Sequence, residues 1–218
     1  MLMKKVFFAL LSLIFFGGCV ITETIFPKAT EIPPSGTVLL SETFSSVDSG
    51  WPVINQNGSF VIYQADGLRF LIEKSNLDLI SSPGFRFSDV RVEVEAIKID
   101  GPDNNTYGII CRRQDDKNYY AFVISSDGYT GIIKVVEGNY QLINGTTLEF
   151  APAVNQGRSI NYLSATCQGN MLSFNVNGEK QFDIQDDQFT QGSVGLIAGS
   201  FDEPGVDIFF DNLTVFQP

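Results

Sequence analysis

Any catalysis in this chain falls to Asp, Glu, Tyr or Lys, because none of its 218 residues is histidine. That removes the Ser-His-Asp and Cys-His arrangements, the usual acid–base residue at neutral pH and the commonest transition-metal ligand. Glycoside hydrolysis needs two carboxylates about 5–5.5 Å or about 6.5–9.5 Å apart across the substrate. Glu93 and Glu95 alternate in VRVEVEAI and share one face of a predicted strand. No third carboxylate joins them in that stretch, and the expectation is a solvated strand face. Sugar recognition is the other chemistry within reach, since sugars stack on aromatic faces and take hydrogen bonds from Arg, Asn and Asp. The candidate ligand contacts are Trp51, Tyr107, Arg112, Asn118, Tyr120 and Tyr129, with Tyr119 beside them. Alternation puts Tyr119 and Tyr120 on opposite faces, so at most one is expected in the core. Aromatics make up 12% of the chain and many are core Phe, so most of the set is expected to be structural.

The elements that position these residues are strands. Residues 106–136 read TYGIICRRQDDKNYYAFVISSDGYTGIIKVV, three runs rich in Ile, Val, Tyr and Phe separated by polar turns. No run has the 3.6-residue spacing of an amphipathic helix. Strands are predicted at 37–44, 58–63, 67–73, 77–81, 89–99, 140–143, 159–168, 171–177, 194–198 and 206–216. Gly67 is assigned the positive φ of a hairpin turn after 64–66, and Asn177-Gly178 is a two-residue hairpin signal. No fixed repeat is evident, which argues against a propeller or solenoid. Asp115-Asp116, Asp186-Asp187 and Asp202-Glu203 read as turn residues.

A hydrophobic fraction of 44% with 19 Phe supplies a core, and a formal charge of −11 repels phosphate backbones, so no nucleic-acid partner is expected. Residues 1–18 carry Lys4 and Lys5, an apolar run and then small residues, the pattern of a secretory signal. Phe16-Gly17-Gly18-Cys19 resembles a bacterial lipoprotein box, with Phe16 where Leu is usual. The resemblance implies cleavage before Cys19, lipidation of its thiol and an extracytoplasmic, membrane-anchored lipoprotein; an ordinary signal peptide with a chance Cys is the other reading. Residues 19–36, with Pro27, Pro33 and Pro34, read as a tether. The domain is then 37–218. Cys111 and Cys167 remain, each on the apolar face of its predicted strand; a buried disulfide and two buried thiols both stay open.

The segments SETF…DSGW, YGIICRRQDDKNYYAFVISSDGYTGIIK and GSVGLIAGSFDEPGVDIFFDNLTVF resemble concanavalin-like jelly roll domains of bacterial surface proteins, akin to laminin-G-like and 3-keto-disaccharide-hydrolase-like modules. The resemblance covers about residues 37–217 and implies an all-β jelly roll sandwich of two antiparallel sheets. It also implies a structural Ca²⁺ held by Glu42, the Gly58 backbone and Asp211, against the alternative of simple pairing between the first and last strands. The Glu-x-Asp-x-x-Glu strand of the glucanases of this fold has no match here. The expected function is a non-catalytic, lipid-anchored extracytoplasmic module that binds carbohydrate or a cell-surface partner, with a glycan or cell-envelope component as the expected partner. A hydrolase of a 3-keto-disaccharide or related glycoside is the alternative.

Overall fold

The structure, a computed structural model, describes residues 32–218. The expectations for the leader over 1–18, for Cys19 and for most of the tether lie outside the described residues. The chain builds β1 (Val38–Glu42), β2 (Ile54–Gln56), β3 (Ser59–Gln64), β4 (Gly67–Ile72), β5 (Leu77–Ser81) and β6 (Arg86–Phe87). Then come the long β7 (Val90–Asp100) and β8 (Asn105–Asp115), with β9 (Asn118–Ile124), β10 (Tyr129–Val136), β11 (Asn139–Leu142) and β12 (Glu149–Phe150). The series closes with β13 (Ile160–Gln168), β14 (Met171–Val176), β15 (Glu179–Gln185), β16 (Gly192–Ser200) and β17 (Val206–Phe216).

Two antiparallel sheets result. The first runs β15-β14-β13-β7-β17-β4-β3-β2, with β1 also paired to β17; the second runs β11-β10-β9-β8-β16-β5, with β12 on β10 and β6 on β16. β7 shows why the sheets face each other: Val90, Val92, Val94 and Ala96 are buried, while Arg91, Glu93 and Glu95 lie on the other face. Aromatic pairs fill the space between the sheets. Phe122 of β9 meets Phe174 of β14 at 5.7 Å between ring centres, and Phe70 meets Phe210 edge-on at 5.3 Å. Cys111 of β8 and Cys167 of β13 are joined by a disulfide across this core, with Cα atoms 6.9 Å apart.

Turn chemistry differs from expectation at one hairpin. Between β3 and β4 the positive φ values fall on Ala65 and Asp66, not on Gly67. Gly67 is instead required by packing, because a Cβ there would overlap the Phe209 ring on the neighbouring strand. The Asn177-Gly178 turn has positive φ at both residues, 51° and 83°, as a tight hairpin demands.

Candidate functional site

The central strands of the second sheet, β8, β9 and β16, are buried on both faces. Tyr120, Phe122 and Ile124 point into the inter-sheet core, yet Tyr119, Ala121 and Val123 on the opposite face are buried as well. They belong to a second apolar cluster with Ile110, Val135 and Ile197, against which Ile80, Ile133 and Leu148 pack. The expectation that at most one of Tyr119 and Tyr120 is enclosed is therefore corrected; the sheet curls around its own outer face. Asn144 fastens the segment after β11 onto that face, its Oδ1 accepting the Ile132 N–H at 2.9 Å. Gly131 leaves the space below, since a Cβ there would press on Leu148 and Asn144.

The curl brings the sheet's two edges together. β11 and β5 stand at opposite ends of the strand order, and on a flat sheet five inter-strand steps would hold them about 24 Å apart. Nevertheless Tyr140 Oη on β11 donates to Asp78 Oδ2 on β5 at 3.3 Å, and Tyr119 Oη donates to Tyr140 Oη at 3.4 Å. Asp78 sits against the backbone of β16, where a side chain on Gly199 would overlap Asp78 Oδ1. Burial pushes the Asp78 carboxyl above its ordinary value, and the Tyr140 hydrogen bond only partly opposes this. Burial also raises the Tyr119 and Tyr140 hydroxyls, so both stay protonated donors at neutral pH.

On one side of this clasp lies a recess of about 610 Å³ lined by Asp78, Thr106, Ile133, Tyr140, Leu142 and Phe201 with the 145–148 segment. That volume is in the range of small-ligand sites. Tyr140 and Phe201 are 59% and 37% exposed, two aromatic side chains bordering one carboxylate. Phe201 is held beside β5 through its carbonyl, which accepts the Asn76 N–H at 2.8 Å. On the other side a smaller recess of about 220 Å³ is lined by Asp78, Asp116, Tyr119 and Tyr140 with Ile54 and Gln56.

The ligand contacts predicted from sequence lie elsewhere. Trp51 is 3% exposed and packs edge-on against Phe44 at 5.2 Å. Tyr107 and Tyr120 are core residues, and Tyr120 Oη donates to Asp186. Arg112 occupies a bulge with φ 53°, and its buried guanidinium donates to Phe189 O at 2.9 Å and Ser88 O at 3.3 Å, with Asp89 at 3.4 Å. Asn118 donates to Asp115 in the β8–β9 turn, and Tyr129 packs edge-on against Phe150 at 5.7 Å. None of these six lines either recess of the clasp. Trp51, Tyr107, Tyr120 and Arg112 are structural because their polar atoms are spent on, or their rings enclosed by, the fold itself.

The residues considered for Ca²⁺ are not brought together. Glu42 pairs with Leu213, faces inward and accepts the Phe44 N–H at 2.5 Å. Asp211 pairs with Glu95 on the outer face and accepts the Asn212 N–H at 2.6 Å. Gly58, in the β2–β3 turn, lies toward the opposite end of the first sheet from β1: β3 begins beside Leu71, which pairs with Asp207, whereas Glu42 stands beside Leu213. This set does not fit a shared cation, and no group of three His, Cys, Asp or Glu is placed to hold a metal among the described residues. Glu93 and Glu95 do share the outer face of the first sheet, where they border a recess of about 520 Å³ with Tyr162 and Asn212. Glu93 is paired with Arg91 at 2.9 Å.

No family model matches the chain, and no curated protein matches it. Solved structures do. A carbohydrate-binding module from Bacillus subtilis superposes with a TM-score of 0.63 at 18% identity, covering 77% of this chain and 95% of that one. A Bacillus subtilis protein with a galectin-like fold gives 0.61 at 12% identity over 84% and 97% of the two chains. A Bacillus licheniformis β-glucanase gives 0.57 at 12% over 82% and 97%. The chain has the jelly-roll fold. At these identities the likeness is one of architecture.

Proposed function

We propose that the jelly roll is a non-catalytic carbohydrate-binding module and that its glycan sits in the recess between Tyr140 and Phe201. The observation that carries this is the placement of two exposed aromatic side chains around a half-buried carboxylate. Aromatic faces take the apolar faces of sugar rings, while Asp78, Thr106 and Gln141 supply oriented hydrogen-bonding groups. The carbohydrate-binding module and β-glucanase among its structural neighbours are consistent with this use of the fold. In this reading the chain is a bacterial lipoprotein lipidated at Cys19, facing outward, with cell-envelope glycans as partners.

The test is a glycan array probed with the full chain in a detergent free of sugar. Binding to one sugar class, weakened about tenfold or more by Tyr140→Ala or Phe201→Ala, is the expected result. Unaltered binding in both variants, or a blank array with a folded protein, overturns it.

One observation favours hydrolysis as a second reading. Asp78 has its carboxyl pushed upward by burial, as a general acid requires, and Asp116 borders the adjoining recess. Turnover of a 3-keto-disaccharide that disappears in Asp78→Asn would establish this reading in place of the first.

A further inference from the structure

Two other enclosed carboxylates of this jelly roll, Asp207 and Asp186, each come with a cation. Asp207 takes Arg69 in a two-pronged pair at 2.8 and 2.6 Å, and Asp186 takes Lys134 at 2.5 Å. Asp78 is different. An ionised carboxylate accepts at about four lone-pair positions, and among the described residues the Asp78 side chain accepts a single hydrogen bond, the long one from Tyr140. No Lys or Arg lines the recess on either side of it. Its acceptor capacity is therefore left for whatever enters, and it is fixed in place because Gly199 lets the carboxylate rest on β16.

We propose that Asp78 is the specificity-determining residue of the recess, selecting neutral sugars that present adjacent hydroxyls and rejecting uronic acids. This rests on the carbohydrate-binding reading above. Two hydroxyls on neighbouring ring carbons donate to the two oxygens of one carboxylate, which is the hydrogen bonding that Asp78 lacks. A ligand carboxylate brings an acceptor where a donor is needed and a negative charge with no cation to receive it, so discrimination is by repulsion as well as by fit.

The experiment titrates the full chain with matched pairs, glucan against glucuronan and galactan against galacturonan oligosaccharides. The expected result is binding to a neutral member with its uronic counterpart at least about tenfold weaker. Asp78→Asn, checked for an intact melting transition, should weaken the neutral sugar by about 10- to 100-fold and narrow the neutral-to-uronic ratio. Equal or tighter binding of the uronic member to the native chain overturns the inference while leaving carbohydrate binding standing. A ratio unchanged in Asp78→Asn overturns the assignment to this residue. Binding to neither member of any pair overturns the carbohydrate reading and the inference together.

Discussion

Tyr140 Oη stands 3.3 Å from Asp78 Oδ2, although their strands are the opposite edges of the second sheet. One hydrogen bond thus joins the start of that sheet's strand order to its end, and the apolar cluster around Val123 and Ile197 is what the closure encloses. The clasp also divides the outer face into a larger and a smaller recess.

Removing the clasp hydroxyl alone should be mild. Tyr140→Phe is expected to cost about 0.5–1.5 kcal/mol in denaturant unfolding and to speed amide exchange in β11 without changing the global fold. Exchange in β11 equal to that of the native chain would show that the two edges are held by packing alone.

Asp78 should be a stability liability at neutral pH. Its carboxyl binds a proton more readily in the folded state than at the ordinary value of 3.8. Its contribution is therefore fully present below that value and is lost as pH rises through the higher folded value. Asp78→Asn is expected to raise the melting temperature at pH 7 by about 2–4 °C, with the gain vanishing near pH 3.5. Scanning calorimetry at the two pH values checks this, and a gain of the same size at both would refute the burial argument.

Cys111 and Cys167 close a loop of 56 residues between the sheets. The chain-entropy estimate for such a loop is about 4 kcal/mol. The double variant Cys111→Ala/Cys167→Ala should lose about 2–4 kcal/mol, and neither thiol should label in the unreduced native chain. Labelling of both would mean that the bond does not form.

Arg112→Met separates a brace from a ligand contact. It leaves the Phe189 and Ser88 carbonyls without their donor inside the fold, and a loss of about 2–4 kcal/mol is expected. Glycan affinity measured below the new melting transition should be unchanged.

The sheets were legible because β7, β13 and β14 alternate apolar and polar residues along one-sided strands. Val90, Val92 and Val94 against Arg91, Glu93 and Glu95 leave little choice of face. The recess was harder to read. β8, β9 and β16 are apolar on both faces, so YYAFVI and SVGLIAG carry no marker of which side chains face the recess. Trp51, Tyr107 and Tyr120 are of the residue types that stack on sugars, yet all three are buried in the core, which residue type does not show. Asp78, Tyr140 and Phe201 come from β5, β11 and the turn after β16, far apart in sequence, and only the curl of the sheet unites them. The one local sign was Gly199, a glycine inside a strand where another group approaches closely.

The closure at Asp78 and Tyr140 also bears on self-association. A sheet edge with free backbone groups is a template for strands of other chains. In the second sheet both ends of the strand order are drawn toward one another, and an incoming strand would have to break the clasp to add there. The ends of the first sheet are guarded differently: β15 carries Glu179, Lys180 and Asp183, and β2 is only three residues long. A jelly roll crowded with copies of itself on one surface would thus resist edge-to-edge growth into fibres, and mutations at Tyr140 would be the first to expose it.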